Sequence, residues 1–486
     1  MLIVLLILFP LLASLILFFS KTSNSRNLAL FFASVEFVLS LVVFLQYKSN
    51  PGSAQLSYSC EWVESLRINF SVGVDGLSLL MVLLSTFLVP IILLTSFKNT
   101  YENSHNFYGL ILLMQMALVG VFVANDGFLF YVFWELALIP IYFICLLWGG
   151  ENRGVITFKF FIYTLFGSLF MLIGLIYLYN HTNLDGMKSW AVQDLYDAGR
   201  SLSASQQGAV FWLIFIAFAI KMPIFPFHTW QPDTYVVAPT QGTMLLSGIM
   251  LKMGTFGTIK WLLPMVPLGL EKWGGTAVGL SVIGIIYASI IAISQKDFKR
   301  LIAYSSIAHV GLISAGILSA NQQGIQGAIM QMLAHGVNVV GLFFIADILL
   351  RHTGTREIDK LGGIRNMNGN FAVLFLIVLL GSVALPLTNG FIGEFLLING
   401  VYQYSSMMAA FAGLTVILGA VYMLRSYQNI MLGERKDSNL SFGALAASDK
   451  AVLIIICTVI IAFGVYPKPL NDLAEQGAKT IIELMK

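Results

Sequence analysis

Charge is scarce in this sequence. Asp, Glu, Lys and Arg make up 10% of its 486 residues, against about 25% in a typical soluble domain. Long hydrophilic stretches are missing too. The longest breaks between apolar runs, 47–76 and 180–208, are too short for a soluble catalytic domain. With 27 basic and 24 acidic residues the net charge is only +3, so no nucleic-acid surface is implied. Cysteine occurs three times, at Cys60, Cys145 and Cys457, far apart and twice inside apolar runs. Neither a disulfide framework nor a metal-ligand spacing follows. Glycine-rich phosphate loops, dinucleotide fingerprints, Cys-x-x-Cys and His-Glu-x-x-His are all absent. Such a chain has no means of its own to hydrolyse ATP or oxidise a dinucleotide. Moving one charge against 100 mV takes about 2.3 kcal/mol, so uphill transport draws on another ion gradient or on a partner protein.

What is abundant is hydrocarbon: 58% of residues are hydrophobic and the mean hydropathy is +0.84. Apolar runs of the length that crosses a bilayer predict an all-α polytopic membrane protein. Fourteen spans are expected, at 2–20, 27–47, 77–98, 105–125, 126–148, 155–180, 208–230, 238–263, 274–295, 300–320, 324–350, 370–400, 406–430 and 450–467. The first run lacks a basic flank and is too long for a signal peptide, which reads as a retained helix. The alternation in LRINFSVGV predicts a small surface hairpin. Loops after odd-numbered spans collect cations, among them Lys21, Arg153, Lys296, Lys299, Arg356 and Lys436. Loops after even-numbered spans hold fewer: Lys48, Arg67, Lys188, Arg200, Lys260 and Lys272. The odd loops are therefore expected in the cytoplasm and both termini outside.

Two spans carry breaks. Span 7 contains AIKMPIFPFHTW, with Pro223 and Pro226, and span 12 contains GSVALPLTNGFIGEF, with Pro386. Proline removes a backbone donor and crowds the carbonyl four residues back. In a bilayer the freed groups need protein or water, and paired interrupted spans point to repeats with ion sites near the midplane. Ordinary proline kinks are the alternative, but each break lies beside a charge. Glu135, Lys221, Lys252 and Glu394 fall inside spans, where a charge costs about 2.5–3.5 kcal/mol on insertion scales. The other reading is a structural ion pair, or a lysine reaching for the headgroups. Burial disfavours an ammonium while a nearby carboxylate favours it, so a lysine between those pressures gains and loses a proton as the acid moves. Glu135 and Lys221 are candidates for such a pair if spans 5 and 7 pack together. His228, His309 and His335 lie in the same segments as relay or core residues. Nothing else in the sequence supports haem ligation by His309 and His335.

FPFHTWQPDTYVVAPTQGTMLLSGIMLKMGTFG (225–257), FWELALIPIYF, LIAYSSIAHVGLI, MLAHGVNVVGLFF and LPLTNGFIGEF together resemble the signature of the antiporter-like membrane subunits of respiratory complex I, the proton-translocating NADH–quinone oxidoreductase. The likeness runs in order from about residue 70 to 430. It implies two inverted five-helix repeats, spans 4–8 (105–263) and 9–13 (274–430), flanked by N-terminal spans (1–104) and a last span with a short tail (450–486). It also implies that Glu135 tunes Lys221, that Lys252 is the central lysine and Glu394 the terminal group, and that His228, His309 and His335 lie along a hydrated axis between them. No cofactor is expected in this chain; NADH, FMN, iron–sulfur clusters and quinone belong to partner subunits. The expected partners are L- and N-type neighbours in a bacterial inner membrane.

Glutamate at position 394, where L-type relatives and sodium/proton antiporter subunits carry lysine, and an end about 20 residues after the last span, without a lateral helix, place the chain in the M-type branch. A multi-subunit sodium/proton antiporter or a membrane-bound hydrogenase is the alternative setting. One motif departs from the family. Where Asp-Ala-His-x-Glu/Gln-Ala-Pro is usual, this chain has PDTYVVAP, so Tyr235 replaces a histidine and Val237 a polar residue. A phenol of pKa about 10 does not readily store a proton at neutral pH.

Overall fold

The computed structural model describes residues 1–20, 24–49, 56–182, 187–436 and 442–486. Lys21 and parts of both long hydrophilic breaks lie outside them. Among the described residues twelve helices are long and apolar enough to cross a membrane, and the chain is an all-α membrane protein. The segments expected as spans 8 and 12 are not among the twelve, because neither is a continuous α-helix. Thr240–Met265 contains two π-turns, Leu246–Met250 and Thr258–Leu262, on either side of the short helix that starts at Lys252. Gly369–Ser382 and Asn389–Tyr404 are separate helices.

Side chains set the ends of the elements. Asp75 caps Gly76–Thr95 by accepting from Ser78 N at 2.7 Å. Asp126 caps Gly127–Leu136, accepting from Phe128 N and Leu129 N at 3.0 Å. Each carboxylate satisfies donors that the first turn leaves free. Burial pushes the Asp126 carboxyl above the usual carboxylate range, against those N–H groups and that of Asn69, which pull it down.

Span 5 is one helical run, Gly127–Trp148, as expected, with a joint at Ala137. Gly127–Leu136 and Leu138–Trp148 meet at Ala137. Pro140 has no N–H to give and crowds the Leu136 carbonyl, which places the joint there. Gly413 similarly divides Ser406–Ala412 from Leu414–Met431. The hydrophilic stretches are also more ordered than hydropathy suggests. Ser57–Val63 and Ile68–Gly73 form the antiparallel hairpin. Val192–Ser201 and Lys468–Leu484 are amphipathic helices. The second buries Ala474, Gly477, Ala478 and Ile481 against Gly76–Thr95 and Gln322–Thr353.

The helices sort by burial. Phe298–Leu318 and Gln322–Thr353 have 94% and 89% of their spanning windows buried, whereas Ser25–Ser49 has 28% and is exposed on most sides. The histidines at 309 and 335 thus ride on the two most enclosed helices. Glycines let the neighbouring helix close in. A Cβ on Gly327 would stand 2.7 Å from Leu397 N, and one on Gly393 would stand 2.8 Å from Gln331 N. This small-residue contact docks Asn389–Tyr404, with Glu394, against Gln322–Thr353.

Candidate functional site

Helix Ala204–Lys221 stops at the lysine. Pro223 and Pro226 follow, and helical structure resumes at Gln231–Val237. The interruption is repaired by side chain and backbone: Trp230 Nε1 donates to the Ile220 carbonyl at 2.9 Å, and Ile224 N to the Ala219 carbonyl at 2.8 Å. Lys221 is buried and its ammonium lies 5.2 Å from the centre of the Trp134 ring, a cation–π distance. Glu135, the next residue after that tryptophan, is half-buried and close enough for its charge to act on Lys221. Among the described residues no ion pair or hydrogen bond joins them, and Glu135 Oε1 has no hydrogen-bond partner. Ser168 of the neighbouring helix lies against Glu135 and Tyr131. Acid and lysine are neighbours that do not touch.

The second constellation is tighter. Lys252 Nζ donates to the Ser247 carbonyl at 2.7 Å and lies 2.9 Å from His335 Nδ1. Ser247 lies within the Leu246–Met250 π-turn. His335 Nε2 lies 3.0 Å from Ser306 Oγ. The His335 and His309 rings are 6.2 Å apart, and both line a cavity of about 10 Å3 with Ser305, Gln331 and Asn338, the room of roughly one water. His309 Nδ1 is 3.0 Å from Glu394 Oε1, which also accepts from Gln331 Nε2 at 3.2 Å. His309 Nε2 and Glu394 Oε2 have no partner, so each end of the pair retains capacity for another bond. The row therefore reads Lys252, His335, His309, Glu394.

Glu394 stands on the second half of broken span 12. Ahead of it, Ala384 and Leu387 adopt φ of +54° and +70° around Pro386, left-handed backbone that is costly for residues with a Cβ. Asn338 Nδ2 donates to the Gly381 carbonyl at 2.9 Å, filling the place of a helical N–H that the break removed.

His228 is not joined to this row. Its ring packs 5.2 Å from Tyr287 and 5.8 Å from Phe225, and Nδ1 has no partner. Tyr235 is wholly buried, its ring 5.8 Å from Phe343 and its hydroxyl unpartnered.

Other buried charges escaped the sequence reading. Glu36 lies in the apolar run FFASVEFVLS with both carboxyl oxygens unpartnered; the signal that singled out Glu135 applied equally to it. Lys260, counted above as a loop cation, sits inside the second π-turn. It pairs with Asp75 Oδ2 at 3.0 Å and donates to Ser78 Oγ at 3.1 Å and Asn125 Oδ1 at 3.2 Å. Lys299 is buried at a helix start, where it donates to the Ala238 carbonyl at 2.8 Å. Arg351 bridges Asp347 at 2.8 Å and Asp449 at 3.0 Å. These last two tie helix ends together and need no ligand to explain them. Among the described residues no group of three His, Cys, Asp or Glu could hold a metal ion.

The family described as NADH:quinone oxidoreductase/Mrp antiporter, TM matches residues 124–419, a range that contains every residue of both constellations. NADH-quinone oxidoreductase subunit M of Rickettsia typhi is 37% identical over 469 residues, which is 95% of this chain and 94% of that protein. F(420)H(2) dehydrogenase subunit M of Methanosarcina mazei is 34% identical over 489 residues, covering 99% and 98%. Among solved structures, a chain of respiratory complex I from Thermus thermophilus with bound NADH superposes with a TM-score of 0.91 at 30% identity, over 100% of both chains.

Proposed function

This chain belongs to the NADH:quinone oxidoreductase/Mrp antiporter membrane family, and from that premise we propose that it is an M-type membrane-arm subunit of respiratory complex I that moves protons across the bilayer. The observation that carries the reading is the buried row Lys252–His335–His309–Glu394, with spacings of 2.9 Å, 6.2 Å between rings and 3.0 Å.

The row supplies successive proton holders through a buried region that Ser305, Ser306, Gln331 and Asn338 also line. A proton on Lys252 can pass to His335 directly, since donor and acceptor are at hydrogen-bond distance. From His335 it reaches His309 through the small cavity between them, and then Glu394. Charge on any one member raises the cost of charge on the next like-charged neighbour, so protons advance rather than accumulate. At the other end, Glu135 and Lys221 are placed to act as a switch: a carboxylate that approaches stabilises the ammonium, and one that withdraws releases the proton.

Quinone reduction elsewhere in the assembly drives the cycle. NADH, FMN, iron–sulfur clusters and quinone reside in partner subunits, with L- and N-type chains as neighbours. The setting is a bacterial inner membrane, with both termini on its outer side. Spans 4–8 and 9–13 act as paired inverted repeats, each with its broken helix.

Glu135→Gln and Lys221→Ala, introduced separately, test the reading in membranes containing the assembled complex. Each is expected to reduce NADH:quinone turnover and proton pumping by about tenfold or more while the complex still assembles. Full pumping by either assembled variant would exclude the switch. A chain that co-purifies without a flavin- and iron–sulfur-containing arm and exchanges sodium for protons would instead be an antiporter subunit.

A further inference from the structure

Helix Gln322–Thr353 has a second face. Next to the one that carries Gln331, His335 and Asn338, the residues Met330, Leu333, Ala334 and Val337 line a separate cavity of about 430 Å3. Its other walls are Ser25–Ser49, Gly76–Thr95, Ala447–Val465 and the start of Lys468–Leu484, which contribute phenylalanines 37, 87 and 463 and several leucines. Asn389 is the one polar lining residue, and its Oδ1 has no partner.

The cavity is a partly open cleft with an almost wholly apolar lining. An apolar cavity of about 150 Å3 stays dry and takes up benzene; by the same measure this one has room for roughly three times as many carbons, close to one fatty acyl chain. The cavity also opens to the outside of the chain: Leu41 lines it and is 38% exposed, on an apolar helix that is only 28% buried.

Two lysines stand near one end of the cavity, on segments that also carry Asp472 and pack beside Asp75, whose carboxylate is paired with Lys260. Lys48 stands one turn beyond the lining residue Phe44, and Lys468 immediately precedes the lining residue Pro469. Those two chain segments converge: a Cβ on Gly76 would lie 3.6 Å from the Tyr47 hydroxyl and 3.1 Å from the Leu473 carbonyl. Both lysines are exposed and neither has an ion-pair partner among the described residues.

We propose that this cavity binds one acyl chain of an anionic phospholipid, with the phosphate held between Lys48 and Lys468. The bound chain fills the space behind the helix that carries His335 and beside Asn389, at the start of the helix that carries Glu394. It acts as a wedge that keeps the polar row in register. Binding does not depend on the function proposed above; the effect on pumping does.

The test uses the whole complex reconstituted in vesicles doped with phosphatidylglycerol that carries a photoactivatable diazirine on its acyl chain. After illumination, labelled peptides are mapped by mass spectrometry. Label is expected on the peptides spanning Met330–Val337 and Leu80–Phe87. It should fall on the order of thirtyfold in Lys48→Ala/Lys468→Ala, at about 1 kcal/mol per basic residue near a membrane surface. It should vanish from the Met330–Val337 peptide in Ala334→Phe, which fills the cavity, while lipid-facing peptides such as Val155–Ile173 remain labelled. Absence of label at Met330–Val337 in the unsubstituted complex, or equal labelling with diazirine phosphatidylcholine and in the double lysine variant, overturns the proposal. If Ala334→Phe does not assemble, the lysine variant and the phosphatidylcholine comparison decide the question alone. Normal lipid labelling in a complex that does not pump would leave the lipid site standing and remove the functional reading.

Discussion

Lys252 and His335, 83 residues apart in the chain, meet at 2.9 Å in the centre of the protein. Each is held from behind: the lysine by the Ser247 carbonyl at 2.7 Å and the histidine by Ser306 at 3.0 Å. Neither can leave the other without abandoning a second buried bond.

Replacing Lys252 with methionine keeps an unbranched apolar side chain out to Cε and removes the proton site. Assembly is expected to survive, while coupled NADH:quinone turnover falls by about tenfold or more. His335→Ala should do the same, and the double variant should be no worse than either single one, because both interrupt one path. Additive losses, measured by turnover and by acidification of vesicles, would show that the two act separately.

Glu394→Gln preserves the hydrogen bond from Gln331 but removes the charge opposite His309. Pumping should drop strongly with little change in assembly. Glu394→Asp, which retracts the carboxylate by one methylene, should recover part of the rate. A fully active glutamine variant would mean that the acid serves packing only.

The glycine contact predicts a split between assembly and chemistry. Gly327→Ala puts a methyl group 2.7 Å from Leu397 N and should cost about 1–3 kcal/mol in overpacking, lowering the yield of intact complex. Gly279→Ala meets nothing within 4 Å and should leave yield unchanged or slightly higher. Equal yields of the two variants would contradict the close approach of these helices.

Trp230→Phe strands the Ile220 carbonyl at the span 7 break. The expected cost is about 1–3 kcal/mol, the range for a buried group left without its partner. The thermal inactivation temperature of the complex should fall. Turnover at low temperature should also decline if the bond positions Lys221, and remain normal if it serves stability alone.

Lys260 and Asp75 invite a double-mutant cycle. Lys260→Met leaves Asp75, Ser78 and Asn125 without their shared donor. Asp75→Asn in that background should add little, giving a coupling of about 0.5–3 kcal/mol in thermal inactivation. Independent effects would mean that the pair contributes no more than a solvated surface bridge.

Many of the buried charges are legible in the sequence alone. An acid or a lysine inside a hydrocarbon run stands out because its burial is costly, and Glu135, Lys221, Lys252 and Glu394 were found on that ground. Pro223, Pro226 and Pro386 marked where helices stop, because a ring without an N–H acts through its own bonds. The same logic passed over Glu36, whose run was equally apolar. It also misplaced Lys260, because hydropathy sees only that a cation lies near the end of a run, not that Asp75 waits beside it.

Local chemistry therefore determined the membrane class, the approximate spans, the hairpin and the breaks, since each depends on composition or covalent geometry within a few residues. Partner choice did not. That Lys252 faces His335 rather than Lys221, that Glu394 answers to His309 and Gln331, and that Glu135 stops short of Lys221 are consequences of helix packing. Glycines 327 and 393 set one such approach, and the π-turns around Lys252 turn its side chain. Only the tertiary structure brings residues 83 and more positions apart within a hydrogen bond, and in a low-dielectric interior that last ångström decides where a proton can go.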